Sequence, residues 1–312
     1  MENSKLNSLD HIEFLEDDFS VIGIQEEVEI LRPSLSYWQD VWRRFRKNPI
    51  AILASIFLLL LAVMCIMGPH ISGYNYDTVS LREKNLSPSA LHWFGTDNMG
   101  RDLFTRVWIG GRISLILGVV GAFIDMLIGV LYGGIAGYFG GRTDTIMMRI
   151  VEILASIPQL ILVVLMSLIV GKGMGSLLLA MCLTGWCHMA RLVRGQVFQL
   201  KDQEFLLAAR ALGTPWYKII RKHILPNTFD VIIVAVTFDI PSFIFGEAFL
   251  SYIGLGIQSP MTSWGALASS AQKTMAFYPY QLFFPAIFIA LTMLSFQLLG
   301  DGLRDALDPK MK

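Results

Sequence analysis

Six apolar stretches, each long enough to cross a bilayer, constrain this chain more than any other feature. A membrane core takes about 20 consecutive apolar residues as helix. Residues 50–68 carry no charge and are bounded by Pro49 and Pro69, and residues 282–300 are equally clean. Residues 113–138, 145–170, 177–193 and 229–255 reach the same length with occasional polar interruptions. The expected fold class is therefore all-α, a polytopic membrane protein of about six transmembrane helices. Composition agrees: 54% of the residues are hydrophobic and 16% charged, against about 25% charged in soluble domains.

The first span follows a polar tail of over forty residues, so it reads as a membrane anchor and not as a cleaved leader. That tail, residues 1–42, holds ten acidic side chains against only Lys5 and Arg32. Arg43, Arg44, Arg46 and Lys47 sit directly before the first span. The positive-inside rule then puts both termini in the cytoplasm. Of the 25 Lys and Arg, only Arg82, Lys84, Arg101, Arg106, Arg112, Lys172 and Lys273 fall outside. The chain divides into the tail (1–42), the first helix with its basic flank (43–71) and an extracellular loop (72–112). A transmembrane core (113–304) and a cytoplasmic C-terminus (305–312) follow. Within the outer loop the segment around Leu103, Phe104, Arg106 and Trp108 is amphipathic and is expected to lie flat in the interface. No basic stripe interleaved with aromatics points to nucleic acid.

Cys65, Cys182 and Cys187 all lie in apolar stretches and read as buried small hydrophobes. No Cys/His spacing matches a zinc site, and no catalytic HExxH or triad arrangement is evident. The sole Gly-Lys pair, Gly171-Lys172, lacks the flanking residues of a phosphate loop. The chain is thus read as a non-enzyme without metal or cofactor.

The long inner loop carries the strongest local signal. Residues 203–226 read QEFLLAARALGTPWYKIIRKHILP. Residues 204–212 are strong helix formers, and Gly213 supplies a left-handed stop. Thr214 is expected to cap a second helix with Pro215 at its first position, running over 216–225 and ended by Pro226. This makes a helix–turn–helix bracket over 199–226, basic on one side through Arg210, Lys218, Arg221 and Lys222 and apolar on the other. Such a bracket suits a membrane subunit driven by a cytosolic motor.

Its residues resemble the EAA loop that marks permease subunits of ATP-binding-cassette importers: Glu-Ala-Ala, three residues, Gly, nine residues, Ile, any residue, Leu-Pro. Ala208, Ala209, Gly213, Leu225 and Pro226 fall at the matching separations. Leu207 stands in place of the Glu, and His223 in place of the Ile. Glu204, one turn earlier, is the acidic candidate in its stead. The resemblance continues in HWFGTDNMGRD (92–102), similar to the GTDxxGRD stretch of dipeptide and oligopeptide permeases. GRIS (111–114), ARLVRGQ (190–196), EAFLSYIGLG (247–256) and GDGLRDALDP (300–309) extend it. The chain looks most like the second, C-type permease of Gram-positive oligopeptide importers. That resemblance implies a type I importer permease in a bacterial plasma membrane. Its implied partners are a homologous second permease, two cytosolic ATPases that hold the ATP and Mg²⁺, and an extracellular substrate-binding lipoprotein. An ion-driven secondary transporter, or a permease for nickel or another small solute, is the alternative.

Ionisable groups inside spans are functional candidates by default. Arg149 and Glu152, three apart, read as a local ion pair. Asp125 reads as a polar packing contact. Asp239 and Glu247 flank Pro241, and eight residues apart they are expected to share roughly one face of a weakened helix. They either line a substrate pathway or pack against a neighbour. Gly118, Gly121, Gly129, Gly133, Gly134 and Gly137 form a close-packing face, expected to meet the sister permease.

Overall fold

The structure, a computed structural model, describes residues 36–308. The acidic tail falls almost entirely outside the described residues. From Val41 onward the chain is one compact unit, and the account below is of that unit.

The short helix α1 (Tyr37–Phe45) leads to α2 (Pro49–Ile71). Asn48 starts α2, its Oδ1 accepting from the N–H groups of Ile50 and Ala51 at 3.1 Å, while Pro49 occupies a position where no N–H is needed. A loop leads to α3 (Leu103–Phe139), a single helix of 37 residues. Asp102 caps it, accepting from Thr105 N–H at 2.8 Å. Next come α4 (Gly141–Ala155) and α5 (Gln159–Ile169), bent by 79° from each other. Pro158 sits at that break and cannot continue a helix. After α6 (Met174–Leu200) the bracket follows: α7 (Glu204–Ala211), α8 (Trp216–Ile219), a π-helical turn (Ile220–Ile224) and α9 (Leu225–Asn227). Then α10 (Phe229–Tyr252) returns to the loop end, α11 (Trp264–Gln272) lies there, and α12 (Tyr280–Leu307) runs back.

Among the described residues five helices are thus long and apolar enough to cross a membrane, and the bent α4–α5 pair makes a sixth crossing if it acts as one. Two expectations change. The segment 103–108 is not interfacial but forms the opening turns of α3, with Leu103, Phe104, Val107 and Trp108 all buried. Two of its polar members are tied within the protein: Thr105 Oγ1 donates to Asp102 at 2.7 Å and Arg106 Nη1 to the Tyr76 carbonyl at 2.9 Å, while the Trp108 indole N–H is buried without a partner in the described residues. No wet face is left to lie in an interface. Secondly, α10 runs unbroken through Pro241 and Gly246.

The glycine face is used inside the chain. A Cβ on Gly129 would stand 2.5 Å from Met189 Cβ, one on Gly133 would meet the Ala190 carbonyl, and one on Gly137 would stand 2.7 Å from Val197 Cβ. Matching positions advance together, so α3 and α6 run parallel with their backbones close. Gly118 and Gly121 receive Ile244 and Phe243 of α10 in the same way. The face expected to serve a sister permease therefore builds this chain's own core. Trp264 fills the loop end of that core: it is fully buried, and its indole N–H donates to the Val107 carbonyl at 2.9 Å. The three cysteines are free and buried. Arg149 and Glu152 pair at 2.9 Å on the exposed surface, as expected.

Candidate functional site

The bracket closes one end of the bundle. α7 forms from strong helix formers and stops at Gly213, whose φ of +72° is the left-handed stop read from the sequence. Beyond it the geometry differs from expectation. Pro215 is the flanking residue of α8 and not its first member, and Thr214 provides no side-chain cap. Pro226 does not end the second helix. Proline lacks an N–H and its ring collides with the carbonyl four residues back. Here the chain widens into the π turn, with Leu225 N–H reaching back to the Ile220 carbonyl, and α9 carries Pro226 before the break at Thr228.

One side of the bracket is anchored. Leu206, Ala209, Ile219, Ile220 and Ile224 are buried in a cluster with Met189, Val193 and Val197 of α6. The other side faces out: Leu207 is 49% exposed and Leu212 85%, with Glu204 and Ala208 exposed beside them. Lys218, Arg221, Lys222 and Pro226 line an open cleft of about 420 Å³. Arg210 leaves the expected basic face, since its guanidinium lies 5.0 Å from the centre of the Tyr138 ring on α3. His223 is half-buried, and its carbonyl accepts from Asn227 Nδ2 at 2.6 Å.

The carboxylates paired by sequence spacing separate in space. Eight residues on a helix leave two side chains about 80° apart, and here that angle decides their surroundings. Asp239 faces an open cavity of about 520 Å³ between α6, α10 and α12. Glu247 is fully buried on the other side. Its Oε2 accepts from Ser114 Oγ at 2.9 Å and its Oε1 from Ser251 Oγ at 2.7 Å. Ser114 Oγ in turn accepts from Trp264 N–H at 3.4 Å, so Glu247 ties α3, α10 and the start of α11 together. Asp125 is 2% exposed, set against Gly185 of α6, and its Oδ1 has no hydrogen-bond partner in the described residues. His188, Asp230, Arg304 and Asp308 complete the charged lining of the cavity; Arg304 and Asp308 were read only as part of the GDGLRDALDP stretch, and His188 and Asp230 went unremarked in the sequence. The signal was present for His188, an ionisable residue within a predicted span.

The loop end holds a second organised assembly, in the GTDNMGRD stretch. Asp97 accepts from the N–H groups of Met99 at 2.8 Å and Arg101 at 3.0 Å, and from Arg101 Nε at 2.7 Å. Arg106 Nε stands 3.6 Å from the same carboxylate. His92 Nδ1 contacts Asp102 at 2.9 Å. Gln281 of α12 donates to the Thr96 carbonyl at 2.9 Å and Tyr280 OH to the Leu86 carbonyl at 2.8 Å, fastening the loop to α12. Among the described residues no three ligands gather for a metal ion.

Known proteins share these elements. Residues 129–312 match the family model described as binding-protein-dependent transport system inner membrane component. Residues 36–88 match the N-terminal TM domain of oligopeptide transport permease C. The dipeptide transport system permease protein DppC of Bacillus subtilis is 53% identical over 300 residues, covering 95% of this chain and 94% of that one. The oligopeptide permease OppC of the same organism is 49% identical, covering 91% and 93%. OppC of Escherichia coli K12 is 43% identical, covering 92% and 95%. Among solved structures, inward-facing conformations of the MetNI methionine ABC transporter include a chain that superposes with a TM-score of 0.54 at 20% identity, over 64% of this chain and 97% of that one. That likeness establishes the type I importer permease fold, with the fold class as expected. The chain belongs to the family of binding-protein-dependent transport system inner membrane components, as a C-type permease of its dipeptide and oligopeptide branch.

Proposed function

We propose that this chain forms half of the translocation pathway of an ATP-driven peptide importer, and that the bracket 199–226 is where a cytosolic ATPase drives it. The reading takes the loop end as extracellular and the bracket and both termini as cytoplasmic. Its further partners are a homologous second permease, a second ATPase and an extracellular substrate-binding lipoprotein, with ATP and Mg²⁺ held by the ATPases. Peptide as substrate rests on the relatives named above, which are dipeptide and oligopeptide permeases.

The observation that carries the coupling role is the two-sidedness of the bracket. Leu206, Ala209, Ile219, Ile220 and Ile224 join it to α3 and α6, while Leu207, Ala208 and Leu212 face outward beside a basic cleft. An element anchored on one face, with large apolar side chains on the other, is the form a docking surface takes. Push it, and the ends of α6 and α10 move. Glu204 and Leu207 take the positions at the ATPase contact. Arg210, Pro215, His223, Leu225 and Pro226 shape the bracket behind it. Asp239 is the pathway carboxylate, and the sequence candidate Glu247 acts as an internal tie.

The test is site-specific crosslinking in the assembled complex. Cysteine at exposed Ala208 should crosslink to an ATPase subunit, and cysteine at buried Ala209 should not. Vesicles carrying the complex should take up peptide only with ATP. Uptake driven by an ion gradient without ATP, or a missing Ala208 crosslink, would overturn the reading.

A further inference from the structure

The cavity between α6, α10 and α12 opens onto a mid-span carboxylate, Asp239, with no cation in contact, whereas Glu247, farther along α10, is closed off and held by serines. Asp239 is half-buried in the middle of α10, about 14 Å along the axis from Asp230 at the mouth. Among the described residues no Lys, Arg or His nitrogen lies within 4.0 Å of it. Arg304 is the one Lys or Arg among the lining residues, and it sits in the last turn of α12, at the mouth with Asp230. The inner base is His188 of α6, which faces Asp239 at longer range. Behind the wall, buried Asp125 lies within electrostatic reach of Asp239 and leaves its Oδ1 without a partner. Two mid-span carboxylates therefore share one locus with a single histidine.

A carboxylate at this depth costs several kcal/mol unless something answers its charge. The opening is wide, and at about 520 Å³ it is in the range of small-molecule sites, roughly 300–1,000 Å³. Much of the remaining wall is apolar, from Leu192, Val234, Ala235 and Phe238, with Gln196 and Asp308 the other polar lining residues. A bare metal ion would leave that volume empty. An organic ammonium with an apolar substituent fills both parts.

We infer that this cavity takes the protonated amino end of the translocated peptide, with Asp239 as its counter-ion and Asp125 deepening the negative potential behind it. The inference rests on the importer reading above and gives its pathway a chemical preference. Every unblocked peptide carries this ammonium whatever its side chains, so such a site selects the terminus and tolerates the sequence. A charge-assisted N⁺–H···O⁻ bond beside an apolar wall supplies the attraction.

The test uses the whole complex in membrane vesicles, with a cysteine at Val234 in the cavity wall. The three native cysteines are buried, and the parent complex measures their background. Tri-alanine amide, which keeps its ammonium, should slow thiol labelling at 234 about tenfold more than N-acetyl-tri-alanine amide, a difference of ~1.4 kcal/mol. Asp239→Asn should erase that difference while leaving the complex assembled. Equal protection by both peptides, or a preference that survives Asp239→Asn, overturns the inference. Loss of the sister permease from the Asp239→Asn complex also overturns it, because Asp239 would then answer a cation of that subunit. If the wild-type vesicles take up no tri-alanine on adding ATP, the importer reading itself fails, a result distinct from the labelling outcomes.

Discussion

The two ends of this molecule spend their polar residues in opposite ways. At the loop end His92, Asp97, Arg101, Asp102 and Arg106 are each 3–6% exposed, and each has a partner in the loop or the first turns of α3. Within the bracket the charged side chains are exposed or half-buried and the anchoring is apolar, with the Asp144–Arg194 pair beside it joining α4 to α6, while Leu207, Leu212, Trp216 and Tyr217 stand exposed. The first end answers its buried carboxylates from within. The second is complete only inward, and its outer face fits a surface meant for another chain. Buried charge networks fix a geometry because breaking one leaves a charge stranded. Apolar faces can part and rejoin. On the proposed reading, a transporter that moves at its motor end and holds shape at its substrate end has use for this division.

Removing Asp97 is the severest way to break that contrast. Asp97→Ala strands Arg101 and Arg106 in a buried loop and should destabilise the permease by about 3–5 kcal/mol. Leu212→Ser, at the most exposed apolar residue of the bracket, should stay within about 0.5 kcal/mol and yet weaken ATPase attachment. Thermal unfolding of the purified complex, with ATPase content measured alongside, checks both. Equal stability of the two variants would show that the loop end is no more self-sufficient than the bracket.

A pair of glycines sharpens the same comparison with a smaller effect. Gly100 and Gly213 have nearly the same backbone, φ +75° and +72°. Alanine at either meets the left-handed penalty of about 1–2 kcal/mol. At Gly100 a Cβ would also collide with the Ser80 carbonyl, whereas at Gly213 nothing lies within 4 Å. Gly100→Ala should therefore lose about 1–3 kcal/mol more than Gly213→Ala, which should fold and assemble. Gly213→Val, still without a clash, adds a β-branched strain to the turn and should leave ATP hydrolysis running with little uptake. A Gly213→Val complex that transports normally would remove the bracket from the coupling path.

How much of this was legible in the sequence depended on how far each interaction reaches. The spans, the stop at Gly213 and the Arg149–Glu152 pair were readable because hydrophobicity, backbone conformation and i,i+3 spacing are local. The glycine face was readable as close packing, but which helix it meets is a long-range fact, and α6 of the same chain fills it. Pro226 looked like a terminator because proline breaks an α-helix, and a π turn is the escape that local rules do not foresee. Asp239 and Glu247 were separated by the 80° that two turns and a fraction leave over. The GTDNMGRD stretch was readable only as a family motif, because its partners lie on α3, α12 and the loop around residues 80–86. Ala209 belonged with Ala208 in the motif, yet one residue's rotation puts it in the core.

The smallest expected effect tests how the loop end's habit of answering its own polar groups reaches into the membrane. Pro69 sits inside α2 and has no N–H to give the Cys65 carbonyl four residues back. That carbonyl is answered from α3: Arg112 Nε donates to it at 3.1 Å and Nη2 at 2.9 Å, with Nη2 also 3.2 Å from the Ile66 carbonyl. A charged side chain in a span and an orphaned carbonyl, each costly alone, cancel one another and clamp α2 to α3. In Pro69→Ala the new N–H can take the Cys65 carbonyl, so Arg112 loses part of its task. Arg112→Gln should therefore destabilise the wild-type background more than the Pro69→Ala background, with a coupling of about 1 kcal/mol in a thermal-unfolding double-mutant cycle. If the two substitutions add to within about 0.3–0.5 kcal/mol, Arg112 is not serving the proline's carbonyl. The docking of α2 would then rest on its apolar contacts alone, as the bracket's does.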